Sequence, residues 1–174
     1  MRWTVHGERT LYDSDWLRLT LVDVELPSGE RYEHHVVRIP REAAAVVVRD
    51  SDNNVLLLWR HRFITDTWGW EVPAGEIDEG EGPAEAAVRE TLEETGWRPG
   101  PLRELGSYFP MNGRCDQRFH VFAADGAERI GEPSDPAEAE RIEWVPETRV
   151  RRLLRDGSVT DGFSLVALCW ALDA

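Results

Sequence analysis

The sequence predicts an α/β (α+β) fold: an α/β/α sandwich around a mixed sheet, with a small antiparallel hairpin or sheet at the N-terminal end. Three observations carry this expectation. Two short apolar runs, 43–49 and 55–60, hold almost no charge, so the strands they form must be covered on both faces. Segment 83–95 is punctuated as a helix at both ends. Two further helical segments, near 146–156 and 163–172, close the chain and supply another layer.

In order, residues 17–24 (LRLTLVDV) set Leu17, Leu19 and Leu21 at a period of two, which marks a strand. The turn LPSGE at 26–30 leads into 31–39 (RYEHHVVRI), its hairpin partner. Ala43–Arg49 and Val55–Arg60 flank DSDNN (50–54), whose Asn and Asp residues form turns, so a second hairpin is expected. Pro83 suits the first position of a helix and Gly96 the left-handed position after its end. At 100° per residue, Ala84, Val88, Thr91 and Thr95 share the side to be buried, with Leu92 at its edge. Strands follow around 103–109, 118–124 and 142–145, and DGSVTDG separates the last two helices. At 174 residues, without repeat or linker, the chain reads as one domain: a β extension over 1–40 and a core over 41–174.

The balance of 20 Lys and Arg against 33 Asp and Glu leaves a net charge of −13. Nucleic acid or an anionic membrane would require a basic footprint, so neither is an expected partner. No apolar run approaches the roughly 18 residues of a membrane span, and the start MRWTVHGERT lacks the apolar centre of a signal peptide, so a cytoplasmic location is expected. Cys115 and Cys169 form no CxxC pattern, which argues against a disulfide framework or a cysteine zinc site.

The acid is concentrated. Residues 75–97 carry a net −7 and residues 131–147 a net −5. Within the first stretch, Glu90, Glu93 and Glu94 fall at i, i+3 and i+4, which sets three carboxylates on one helix face, roughly opposite the apolar side. Two such charges about 4 Å apart repel by about 4 kcal/mol at an effective dielectric near 20. A positive group must therefore sit among them. Hard oxygen donors without His or Cys favour Mg²⁺, Mn²⁺ or Ca²⁺. Arg89 stands next to them and suits a bidentate pair with one carboxylate. Other patterns fail. Gly75 and Gly80 have P-loop spacing, but Glu81 stands where Lys is required. Residues 50–61 open like a calcium loop but have Val55 and His61 in place of its Gly and Glu.

Gly75, Glu81, Arg89, Glu90, Glu93, Glu94 and Gly96 together match the spacing of the Nudix box, and the chain resembles the Nudix hydrolase family. Thr91, where a larger aliphatic residue is usual, and Trp97 depart from the pattern without touching its chemistry. The resemblance implies hydrolysis of a diphosphate linked to another group, with two or three Mg²⁺ or Mn²⁺ ions present together with substrate. By the same resemblance the metal ligands are the carbonyl of Ala74, Glu90, Glu94, Glu93 as a further ligand or water-holding carboxylate, and Glu138. Glu81 and Arg89 brace the loop and helix, and the catalytic set is Glu93, Glu94, Arg89 and a carboxylate of loop 131–147. Glu138 and Glu140 are both candidates for that last role.

The flanks WGWEVPAGEID (68–78), the PSGE hairpin, Arg62, and Phe109-Pro110 followed by GRCDQRFHVFAA resemble the ADP-ribose pyrophosphatase branch. Arg60-His61 replace the first two residues of that branch's Gln-Tyr-Arg element, and Gln117 stands where Glu is frequent. The resemblance implies substrate binding by Arg62, Trp70, Glu71 and Arg114. Trp68 and Trp70 are also candidates for stacking on a base or ribose, against a place in the core, the commoner position of a tryptophan. It also implies a homodimer that uses the N-terminal extension. The expected partner is a small nucleoside diphosphate derivative, with ADP-ribose, cleaved to AMP and ribose 5-phosphate, leading. GDP-mannose, NADH, dinucleoside polyphosphates and nucleoside triphosphates are alternative substrates. A non-catalytic sensor of ADP-ribose or metal is the alternative of another class.

Overall fold

The computed structural model describes residues 1–173, which divide into two compact units. The first comprises Met1–Glu42 and Phe109–Arg118. Its three strands, β1 (Thr4–Asp13), β2 (Arg18–Glu25) and β3 (Arg31–Arg38), form an antiparallel sheet in the order β1-β2-β3. Strands β2 and β3 are the expected hairpin, running from Arg18↔Arg38 to Glu25↔Arg31. Strand β1 is not marked by any hydrophobic period. All ten of its residues are exposed, and two register shifts interrupt its pairing, so the β2 backbone rather than side-chain burial makes it a strand. Segment Phe109–Arg118 joins this unit where the Val37 N–H donates to the Arg114 carbonyl (2.8 Å) and Arg38 pairs with Asp116 (3.1 Å).

The second unit holds a seven-stranded mixed sheet. Its strands are β4 (Ala43–Arg49), β5 (Asn54–Arg62), β6 (Thr67–Glu71), β7 (Ala74–Glu76), β9 (Leu102–Tyr108), β10 (Phe119–Asp125) and β12 (Arg141–Pro146). The order is β12-β5-β4-β10-β9, with β6 beside β5 and β7 beside β4. The pairing of β10 with β4 is parallel and the others are antiparallel. A small ribbon, β8 (Trp97–Pro99) with β11 (Ala127–Arg129), lies apart from this sheet.

Strand β4 divides the core. Ala43, Ala45 and Val47 pack with Val150 and Leu153 of α2 (Glu147–Asp156) and with Phe163, Ala167 and Leu168 of α3 (Gly162–Leu172). Ala44, Val46 and Val48 pack with Ala86 and Ala87 of α1 (Pro83–Thr95). All six β4 side chains are buried, as a strand covered on both faces requires. This is the expected sandwich.

Two local expectations are corrected. The hairpin of β4 and β5 is joined only at its base, by Arg49↔Val55, because β6 then pairs with β5 and β7 with β4. The two strands splay, and the chain between β6 and β7 enters the gap, where the Val46 N–H reaches the Pro73 carbonyl (3.2 Å). In α1 the buried residues are Ala86, Ala87, Thr91, Glu94 and Thr95, while Ala84 is exposed. Burial of the threonines is tolerated because their hydroxyls donate to the carbonyls of Ala87 and Thr91. The helix begins at Pro83 and ends at Gly96, whose φ of 74° and N–H to the Leu92 carbonyl (2.8 Å) make the left-handed stop.

Candidate active site

Side chains two apart on a strand share a face, so β5 sets Arg60 and Arg62 on the side of the sheet where α1 lies. Helix α1 brings Glu90, Glu93 and Glu94, the start of β7 brings Ala74 and Gly75, and the loop before β12 brings Asp135 and Glu138. Together they line a cleft of about 250 Å³. Backbone bonds hold the loop in place: Ser134 N–H to the Glu93 carbonyl (3.0 Å) at one end, and Glu140 N–H to the Trp59 carbonyl (2.9 Å) at the other.

Glu94 lies deepest. It is 5% exposed and takes Arg60 Nη1 on one oxygen (2.7 Å) and the Ala74 N–H on the other (3.0 Å). Burial pushes its carboxyl up to about 7, even against the opposing pull of Arg60. This corrects the expectation that the carboxylate face points away from the buried one, because the arginine from β5 lets a carboxylate enter the buried side. Arg60 also pairs with Glu138, joining helix to loop. Burial raises the Glu90 carboxyl as well, despite Arg89 beside it.

Arg89 is a hub. Its guanidinium donates to both oxygens of Glu81 (3.0 and 2.9 Å), to Glu90 (2.6 Å), to Glu93 (3.1 Å) and to the Glu76 carbonyl (2.9 Å). Those bonds raise its pKa further and hold the Glu81 carboxyl below the ordinary range. A Cβ on Gly75 would collide with the Glu90 carboxylate, so glycine here leaves the space in which that carboxylate sits. Among the described residues, no three His, Cys, Asp or Glu side chains are gathered around a common point as they stand; Arg60 and Arg89 engage the carboxylates instead. The donor chemistry fits a hard divalent ion: carboxylates and a backbone segment, no sulfur, no imidazole, on a helix face that glycine keeps open.

The other candidates divide. Glu138 lines the cleft and Glu140 is exposed outside it. Arg62 borders the cleft and makes a two-bond pair with Glu71 (3.0 and 2.6 Å), whose carboxylate is 2% exposed. Glu71 thus holds Arg62 and is enclosed itself. Trp70 is 3% exposed and packs in the core of the opposite sheet face with Trp59, ring centres 5.3 Å apart, so its ring is not open to a ligand. Alternation along β6 sends Trp70 and Glu71 to opposite faces. Trp68 is half exposed and stacks on Trp59 (6.0 Å), on that same far face. Arg114 is an exposed residue of the first unit. Sequence reasoning missed Arg60 and Asp135 as cleft residues. The two-residue spacing of Arg60 from Arg62 on a strand was a usable signal for the first; nothing local distinguished Asp135 among the loop acids.

Residues 39–164 match the family model of the NUDIX domain, and residues 3–37 match that of the nucleoside diphosphate sugar hydrolase N-terminal domain. The chain is 46% identical over 166 residues to the CMP-5'-(N-acetyl-N-hydroxy-3-aminopropyl)phosphonate hydrolase of Streptomyces rubellomurinus, covering 95% of this chain and 80% of that protein. It is 29% identical over 142 residues to the ADP-ribose pyrophosphatase of Bacillus subtilis, covering 82% and 76%. Among solved structures, the crystal structure of an ADP compounds hydrolase superposes with a TM-score of 0.88 at 22% identity, covering 99% of this chain and 94% of that one. That last likeness is one of fold.

Proposed function

The chain belongs to the Nudix family, and from that premise we propose that it hydrolyses the P–O–P link of a nucleoside 5'-phosphate joined to a small phosphorylated or phosphonylated group. The observation that carries this reading is the convergence of Glu90, Glu93, Glu94 and Glu138 in one cleft bordered by two arginines, Arg60 and Arg62. A dianionic substrate would not approach four carboxylates unaided. Glu90, Glu94, Glu93, Glu138 and the Ala74 carbonyl are the groups that would hold Mg²⁺ or Mn²⁺. Bound there, the ion supplies positive charge to the phosphates and acidity to a water ligand. Glu93 and Glu138, the more exposed carboxylates, are suited to take the proton of the attacking water. Arg62, oriented by Glu71, offers a guanidinium to phosphate oxygens. Arg89 holds the helix face and loop in register.

Two members of the substrate class are favoured by separate observations. The flanks of the box support ADP-ribose, giving AMP and ribose 5-phosphate. The 46% identity to a hydrolase of a CMP-linked phosphonate supports a nucleotide joined to a phosphonate, and at nearly full coverage of this chain it weighs more than the 29% identity to an ADP-ribose pyrophosphatase. The test is a panel of ADP-ribose, GDP-mannose, NADH, a nucleoside triphosphate and CMP-linked phosphonates, with Mg²⁺ and mass identification of products. Release of a nucleoside monophosphate supports the proposal, and no turnover on any of them sinks it. We also propose a homodimer built through the N-terminal unit; a monomer mass by light scattering would refute it. Among the described residues, no helix is long and apolar enough to cross a membrane.

A further inference from the structure

A guanidinium enclosed between carboxylates of two different elements is the least expected feature of the cleft. Arg60 gives Nη1 to Glu94 of α1 at 2.7 Å and pairs through Nη2 with Glu138 of the loop. Its side chain is 7% exposed, so water screens its charge little. Arginine presents its donors in a fixed planar fork, so the position of one carboxylate constrains the other. The loop's backbone ties to other elements lie at Ser134 and Asp135 and at Glu140; Glu138 bonds from its N–H to the Asp135 carbonyl within the loop and reaches another element through its side chain. Without a cation at this point, nothing of opposite charge would hold the Glu138 carboxylate against α1. A divalent ion fits the same description: positive, and satisfied by carboxylate oxygens from helix and loop.

We propose that Arg60 is a positioning residue, an internal cation that seats Glu138 against α1 and yields Glu94 and Glu138 to a divalent ion when one binds. The proposal rests on the metal-dependent reading of the cleft given above. It makes the loop ordered in both states, through the arginine in one and through the ion in the other. The structural alternative, in which Arg60 is a fixed strut, gives the same order without metal but allows no exchange of partners.

Hydrogen exchange of the amides of 134–140 in the full chain separates these, with Mn²⁺ as the probe. In EDTA, Arg60→Gln is expected to speed exchange of the loop by at least about tenfold, the scale on which breaking a buried ion pair is felt. Saturating Mn²⁺ restores protection in Arg60→Gln, and leaves the protected loop of the unaltered chain as it was. Unchanged loop exchange in Arg60→Gln without metal overturns the proposal. So does faster exchange that Mn²⁺ does not restore, because Arg60 is then a strut alone. If Arg60→Gln exchanges rapidly throughout the chain, Glu138→Gln decides from the exposed side of the pair. It should loosen the loop in EDTA and resist restoration by Mn²⁺, whereas a loop as protected as the unaltered one refutes the idea. No substrate enters these measurements. Absence of turnover on every diphosphate would remove the hydrolase reading and leave this result standing, while failure of Mn²⁺ restoration would leave turnover untouched.

Discussion

The hairpin of β5 and β6 has two faces, and arginines serve each in a different way. On the cleft face Arg60 and Arg62 end in charge-assisted bonds to Glu94, Glu138 and Glu71. On the far face Arg141 lies over the rings of Trp59 and Trp70, at 5.3 and 5.2 Å, and Arg149 over Trp70 at 5.4 Å. The first arrangement fixes the positions of carboxylates whose job depends on position. The second covers the edge of an apolar core, where a cation over a ring contributes about 0.5–2 kcal/mol without demanding one geometry. The period of two along each strand alone decides which residue serves which face. Substitutions on the cleft face are therefore expected to change chemistry, and substitutions on the far face to change stability.

The largest effect is expected on the cleft face. Glu94→Gln keeps the side chain's size and removes the most buried carboxylate that lines the cleft, and turnover with Mg²⁺ should fall by about 10³-fold, roughly 4 kcal/mol of barrier. The measurement is kcat on the best substrate of the panel, beside circular dichroism to show that the fold persists. A fall of less than about fivefold would remove Glu94 from the chemistry and with it the contrast.

Trp70→Ala is the matching test of the far face. It empties a site 3% exposed among Trp59, Arg141 and Arg149, and truncations of this kind cost about 3–5 kcal/mol. Urea unfolding should show that loss, while KM of the folded fraction stays within about twofold. A KM increase of tenfold or more at unchanged stability would return Trp70 to substrate binding.

The cleft face is also expected to titrate. Because burial holds the Glu94 carboxyl at about 7, a proton occupies it in mildly acidic solution when no ion is present. A metal must displace that proton, so Mn²⁺ affinity should rise with pH up to about 7, by at most about tenfold per unit, and level off above it. Stability has the opposite sign. The folded chain keeps a proton that the unfolded chain releases near 4.5, so Glu94 contributes most below that pH, and the contribution is lost as pH rises through about 7. Calorimetry between pH 5 and 8 reads both trends; flat Mn²⁺ affinity across that range would mean that Glu94 is not a ligand.

What could be read in the amino-acid order follows the same division between local and non-local rules. The carboxylates of α1 were legible because a helix fixes i, i+3 and i+4 by itself. Which loop acid enters the cleft was not, because the choice between Glu138 and Glu140 is made by Arg60, 78 positions before Glu138 in the chain, through a pairing no local spacing encodes. The mistaken role for Trp70 was avoidable, since adjacent residues of a strand cannot both face the cleft and Glu71 already does. The buried side of α1 follows the sequence at Thr91 and Thr95 and departs from it at Ala84, which is exposed, and at Ala86, Ala87 and Glu94, which are buried. Hydroxyl bonds to the helix backbone, and an arginine arriving from β5, allow Thr91, Thr95 and Glu94 inside while Ala84 stays in solvent. Strand β1 falls within the β extension expected over 1–40, but no hydrophobic period marks its bounds because none of its side chains is buried.

The smallest effect is the most discriminating. Trp68 is 47% exposed, the tryptophan of this hairpin most open to a substrate base from solvent. It stacks nearly parallel on Trp59, at 18° between planes, and tilts against His61 at 5.2 Å, which places it on the far face with Trp70. An exposed stack contributes about 0.5–1.5 kcal/mol, so Trp68→Ala should lower the melting temperature by a few degrees. KM should stay within about twofold for every substrate of the panel, whatever the base. A rise confined to substrates of one base would mean that the hairpin tip folds its far face over the nucleotide. The two faces would then share one ligand, and the period of two would describe the strand without describing the site.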